Sequence, residues 1–181
     1  MKVINLYGGP GTGKSTTAAG LFYLMKREGF KVELITEYAK ELVYSDADKI
    51  LSDQIHVCAE QHHRLHRLKK TGVEYVIMDS PILLSVYYAK YGSLPRYITK
   101  TLAYSLYPLY DNFDVFIKRT KPFVKLGRKG NEQEAKDADE GIRELLLKFD
   151  YEIEDSPIIC QKILQELLND NNKQKTAKDY S

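Results

Sequence analysis

Apolar positions along the chain fall into two alternating kinds of segment. Residues 3–7 (VINLY), 75–78 (YVIM), 115–117 (VFI) and 151–153 (YEI) are short β-rich runs, and KVELIT at 31–36 alternates before ending in polar residues. Runs of this length with nearly continuous apolar character read as parallel strands covered on both faces. Between them the spacing turns helical. Ala18, Leu21, Phe22 and Met25 follow the first run, and Ile55, Val57, Cys58, Leu65 and Leu68 mark a long polar helix over residues 53–70. Residues 81–91 and 98–109 predict helices around a loop with Gly92 and Pro95, and residues 132–149 and 158–168 predict two more. Strands alternating with helices predict an α/β chain: a five-stranded parallel sheet with helices on both faces.

Composition narrows the class without changing that picture. The 181 residues are 43% hydrophobic and 29% charged, with a net charge of +2, which fits one domain and gives no global nucleic-acid character. The domain is expected over residues 1–168, and the polar stretch NDNNKQKTAKDYS at 169–181 is expected to fray. No run is long enough to cross a membrane and the first residues read as strand and loop, so a cytoplasmic protein is expected. Cys58 and Cys160 lie far apart in predicted helices and read as two reduced thiols.

Between the first strand and first helix stands GGPGTGKS, residues 8–15. Gly8, Gly13, Lys14 and Ser15 fill every fixed position of G-x-x-x-x-G-K-[ST], in the strand–loop–helix context that this motif needs. Backbone N–H groups of such a loop cradle phosphate oxygens at the positive end of a helix. Gly8, Gly9, Gly11, Thr12, Gly13, Lys14, Ser15 and Thr16 are therefore the expected ATP-binding residues. Lys14 reaches the β and γ phosphates and Ser15 ligates Mg²⁺.

In open parallel sheets the ligand crevice lies beyond the carboxyl ends of the strands. The second strand delivers Thr36, Glu37 and Tyr38 there, the third Asp79 and Ser80, the fourth Lys118 and Arg119, and the fifth Asp155 and Ser156. Asp79 stands in the Walker B position, where a carboxylate holds Mg²⁺ or its water; as Asp ahead of Pro81 it also suits a helix N-cap. Glu37 is a candidate general base, or a second metal-directed carboxylate, or a first-turn glutamate of the following helix. Residues 118–130 hold six basic residues and no acid, so Arg119 and Arg128 are expected to stabilise the transferring phosphoryl group from a lid over about 119–135. Gln54 and Gln61, seven apart, offer carboxamides that can read a nucleobase edge, and Tyr38, Tyr87 or Tyr88 can stack on it. His62 and His66 have the spacing of a zinc pair but lack a third ligand and read as a solvated face.

With these residues in place the chain resembles the P-loop nucleoside and nucleotide kinases, in particular the ribosylnicotinamide-kinase-like group common in bacteriophage genomes. GGPGTGKST at 8–16, TEYAKEL at 36–42, VIMDSP at 76–81 and LGRKGNEQEAKDADEGI at 126–142 carry the resemblance, which spans about residues 2–157. It implies a three-layer P-loop kinase fold with a basic lid, ATP and Mg²⁺ as cofactors, Glu37 as base, and Gln54 or Gln61 as reader of the acceptor. Asp79 is followed by Ser80 and Pro81, without the arginine such kinases commonly carry. A small nucleoside or nucleotide is the expected acceptor, with no membrane partner. A hydroxymethylated pyrimidine in DNA is an alternative, for which the lid with Arg64, Arg67, Lys69 and Lys70 can supply a basic groove. A nucleotide-driven switch or ATPase is a further alternative, although no glutamate follows Asp79 and no N-K-x-D stretch occurs.

Overall fold

Every residue of β1 (Lys2–Tyr7) is buried, and the rest of the molecule is arranged around that strand. The computed structural model describes residues 1–92, 94–120, 122 and 131–179, with side chains through residue 174. The chain runs β1, α1 (Lys14–Arg27), β2 (Val32–Ile35), α2 (Tyr38–Tyr44), α3 (Asp48–Ser52), α4 (Gln54–His66), β3 (Tyr75–Met78) and α5 (Leu84–Tyr88). It continues through α6 (Arg96–Leu106), β4 (Asp111–Lys118), α7 (Glu132–Arg143), β5 (Tyr151–Glu154) and α8 (Ile159–Asp179). The five strands form one sheet in the order β2-β3-β1-β4-β5, with every pairing parallel.

Period-two alternation distributes the strand side chains between two cores. Ile4 and Leu6 of β1, Ile77 of β3 and Val115 and Ile117 of β4 pack with Leu21 and Met25 of α1 and Ile163 and Leu167 of α8. Val3 and Tyr7, Val76 and Met78, and Phe116 point the other way, against Cys58 and Leu65 of α4, Val86 of α5, Ala103 of α6 and Ile142 of α7. Each buried aliphatic side chain contributes about 1.5–3 kcal/mol relative to exposure, which is why a sheet covered on both faces outweighs the conformational entropy of ordering it.

Several element boundaries differ from expectation for local reasons. The strand expected over 115–117 extends from Asp111 to Lys118, because the polar Asn112 and Asp114 are paired inside the sheet rather than solvated. The helix expected to reach residue 149 ends at Arg143. The helix expected to stop at residue 168 continues to Asp179, and two residues of the polar tail are tied down. Asp170 accepts from Lys2 Nζ at 2.6 Å and Asn171 donates to the Tyr75 hydroxyl at 3.1 Å.

Candidate active site

The motif after β1 folds into a loop that ends at Gly13, which has φ 100° and serves as the N-cap of α1. A left-handed residue at that point favours glycine. The loop is closed from within: Thr12 Oγ1 donates to the Gly9 carbonyl at 3.1 Å. Lys14 is buried, and its ammonium donates to the carbonyls of Gly8 at 2.7 Å and Gly9 at 3.0 Å. Its charge is thereby held at the mouth of the helix, where phosphate oxygens are favoured.

A cavity of about 600 Å³ opens on this loop, lined by Pro10, Gly11, Gly13, Lys14, Ser15 and Thr16. Glu37 and Lys40 line it from the α2 side, Asp48, Leu51 and Ser52 from α3, and Gln54 and Val57 from α4. Ser80, Leu84, Ser85, Tyr87 and Tyr88 line it around α5, and Asn131, Glu134, Ala135 and Ala138 around α7. Local sequence explains these placements. Asp53 caps α4, accepting from the Ile55 and His56 N–H groups at 3.1 Å, so the helix starts with Gln54 at the wall. Asn131 and Glu134 form a capping box at the start of α7: Glu134 N–H donates to Asn131 Oδ1 at 3.0 Å and Asn131 N–H donates to Glu134 Oε2 at 3.2 Å.

Electrostatics differ between the two sides of this cavity. Burial, then the Glu37 carboxylate, push the Tyr88 phenol well above its ordinary range, so Tyr88 stays protonated. Burial also raises Tyr87. Lys90 Nζ donates to the Tyr87 hydroxyl at 2.9 Å and lies 4.7 Å from the ring centroid of Tyr91, another wall residue. The α5 side of the cavity is thus an aromatic wall, and the α4 side carries the carboxamide of Gln54. The Gln54 Nε2 donates to the Leu51 carbonyl at 2.7 Å.

Asp79 directly follows β3, is 4% exposed, and takes its place in the ladder through its N–H to the Ile35 carbonyl at 3.1 Å. It is not a helix cap, because α5 begins at Leu84 with Leu83 at its N-cap. Its Oδ1 is buried with no hydrogen-bond partner among the described residues. The unsatisfied buried carboxylate oxygen at the end of β3 and the half-buried Ser15 hydroxyl on the phosphate loop are both oxygen donors, which fits Mg²⁺ completed by phosphate oxygens and water, although Asp79 itself does not line the cavity. Ser15 and Asp79 are the residues that would hold it.

The expected site residues Tyr38, Gln61 and Arg119 are also off the cavity wall. The Tyr38 hydroxyl bonds to His56 Nε2 at 3.1 Å and the Tyr38 ring lies under the Arg64 guanidinium at 4.9 Å. Gln61 is 1% exposed and donates to the Thr36 carbonyl at 3.3 Å, because the helix turns it toward the sheet instead of the cavity. Arg119 is drawn to α7, with Nε donating to Asp139 Oδ2 at 2.7 Å and Nη2 to the Ala135 carbonyl at 3.0 Å. Arg128 and most of the expected lid lie outside the described residues.

Arg64, expected to contribute to a basic groove, is paired with acids instead. Arg64 grips Glu41 with two bonds of 2.8 and 2.9 Å and reaches Glu60 at 2.9 Å, so α2 is clamped onto α4. Its bonds to Arg64 hold the Glu41 carboxyl below its usual range. Among the described residues no group of three His, Cys, Asp or Glu could hold a metal. His62 and His66 stack at 5.5 Å, and burial lowers His62. Lys40, Asp48, Glu134 and Asp139 were not anticipated. Asp139 had one available sign, since it sits beside the buried Ala135, Ala138 and Ile142 on α7.

Solved structures share this architecture at low identity. The APS kinase CysC of Mycobacterium tuberculosis, in complex with AMPPNP and APS, is 15% identical with a TM-score of 0.54, covering 92% of this chain and 96% of that one. The deoxyadenosine kinase of M. mycoides is 22% identical at the same TM-score of 0.54, covering 96% and 100%. A structure of that kinase with bound dATP is 20% identical, with a TM-score of 0.54 over 91% and 98%. The chain has the P-loop kinase fold. No curated protein matches it. The AAA_28 family, an AAA domain, matches residues 3–158, from β1 to the turn before α8, and the chain belongs to that family.

Proposed function

We propose that the chain transfers the γ-phosphoryl group of ATP, with Mg²⁺, to a nucleoside, nucleotide or related small acceptor. One observation carries this reading: the phosphate loop, Glu37 and Gln54 open on a single cavity large enough for a triphosphate end and an acceptor. A hydroxyl acceptor is favoured over a phosphate. Beyond Lys14, the described cavity residues include one cation, Lys40, against the carboxylates Glu37, Asp48 and Glu134.

Catalysis in this reading is positioning and charge stabilisation. Ser15 and Asp79 would hold Mg²⁺, which would supply charge neutralisation at the phosphate oxygens. Lys14 stays on the carbonyls of Gly8 and Gly9, which aim its ammonium charge at the β and γ phosphates. Glu37 accepts the proton of the acceptor hydroxyl as its oxygen bonds to Pγ. The bond from Pγ to the bridging oxygen breaks, and ADP departs with that electron pair. Tyr87, Tyr88 and Gln54 orient the acceptor, the tyrosines by stacking and the amide by an edge contact. Arg128 remains the proposed lid cation.

Labelled ATP offered with nucleosides, nucleoside monophosphates, nicotinamide riboside and hydroxymethyluracil-containing DNA tests the reading. Label on a small hydroxyl compound supports it and names the acceptor. Label on DNA, lost at higher salt, transfers the same chemistry to the DNA-modification alternative. The AAA description of the family favours one other reading, an ATPase, for which free phosphate is the sole product under every condition.

A further inference from the structure

We propose that Asp139 is a positioning residue for the phosphate loop, acting on Lys14 through the peptide group between Gly8 and Gly9. The N–H of that peptide, on Gly9, donates to Asp139 Oδ1 at 2.6 Å. Its carbonyl, on Gly8, accepts from Lys14 Nζ at 2.7 Å. Because a peptide group is planar, fixing its N–H end fixes the direction of its carbonyl. A carboxylate at one end and an ammonium at the other also polarise the same amide, so each hydrogen bond strengthens the other.

The carboxylate is itself held. Arg119 Nε donates to Asp139 Oδ2 at 2.7 Å, and its Nη2 donates to the carbonyl of Ala135, one turn earlier on α7, at 3.0 Å. The two side chains are 10% and 18% exposed, which limits screening of their attraction. Residue 9 must lack a side chain for this approach. A Cβ there would lie 2.5 Å from Asp139 Oδ1 and 2.6 Å from the Ala135 carbonyl. A loop rich in glycine has little rigidity of its own, and α7 supplies it from outside. Arg119, expected on the phosphoryl group, acts in this clasp.

The inference goes beyond the phosphotransferase reading and needs from it only that the loop binds ATP. Calorimetric ATP affinity is measured for the full chain as wild type, Asp139→Ala, Asp139→Asn, Gly9→Ala, Lys14→Met and the double variant Asp139→Ala/Lys14→Met. Asp139→Ala is expected to weaken ATP about tenfold or more and to raise KM more than it lowers kcat. Gly9→Ala has the same effect, and Asp139→Asn, which keeps an acceptor for the Gly9 N–H, restores most of the affinity. In the Lys14→Met background Asp139→Ala costs less than about twofold, whereas a general loss of structure costs as much there as in wild type. If Asp139→Ala does not fold, Gly9→Ala and Asp139→Asn carry the test. ATP affinity within about twofold of wild type in folded Asp139→Ala and Gly9→Ala overturns the proposal, as does an equal loss in both backgrounds. A wild-type chain that binds no ATP overturns the phosphotransferase reading as well.

Discussion

Asp79 and Asp114 flank the same central strand, each 4% exposed, yet their surroundings are opposite. Asp114, in β4 across from Asn5 of β1, accepts from Asn5 Nδ2 at 2.9 Å and from the Tyr107 hydroxyl. Its own N–H donates to Asp150 Oδ2 at 2.7 Å. Asp79, at the end of β3, has a buried oxygen with no partner among the described residues. Burying an unpaired polar group is costly, and a satisfied one costs far less. The two acids therefore teach that equal burial has different meanings: inside the sheet a carboxylate is satisfied by its neighbours, and at its carboxyl edge an oxygen is left unsatisfied, which is the basis for proposing Asp79 as a cation ligand.

The largest effect expected from this contrast is on turnover. Asp79→Asn should lower phosphoryl transfer by about 10²–10³-fold or more while leaving thermal stability within a few degrees of wild type. A variant that loses both together would place Asp79 with Asp114 as a structural acid. Glu37→Gln should cost about 10²-fold in kcat for a hydroxyl acceptor, read as the rate of product formation. Near-normal turnover on a nucleoside would remove Glu37 from the base role.

Asp114 should act on stability instead, with a pH dependence of definite sign. Burial pushes its carboxyl up from 3.8 to about 6, even though Tyr107 and Asn5 favour the charged form. The folded state therefore holds the proton more tightly than the unfolded state. Stability from this group is present below the unfolded value and is lost as pH rises toward the folded one, between about pH 4 and 6. Relative to wild type, Asp114→Asn should gain about 2–3 kcal/mol on going from pH 4 to pH 7, measured by urea unfolding. A difference that does not change with pH would contradict that environment. The smallest effect belongs to Tyr107→Phe, which should cost about 1.5–3 kcal/mol of stability with unchanged kcat.

The same contrast explains what could be read along the sequence. The third strand is placed where its apolar run lies, and the phosphate loop is recognisable because its chemistry is contiguous. The fourth strand was underestimated because Asn112 and Asp114 look solvated until their partners, brought together from residues 5, 107 and 110, are seen. The strand-end rule placed Arg119 at the correct edge but could not give its direction, which Asp139, 20 residues later, decides. Tyr38 and Gln61 were misplaced for a related reason. Helical spacing says which residues share a face, but not which neighbour that face meets: Tyr38 meets His56 and Arg64, and Gln61 meets the Thr36 carbonyl.

The most direct test of the account is the Mg²⁺ dependence of ADP binding, followed by calorimetry in wild type, Asp79→Asn and Asp114→Asn. If the unpartnered oxygen of Asp79 holds the cation, Mg²⁺ tightens ADP in wild type and in Asp114→Asn, and that gain is lost in Asp79→Asn. A gain that survives in Asp79→Asn, or one lost equally in Asp114→Asn, would contradict it.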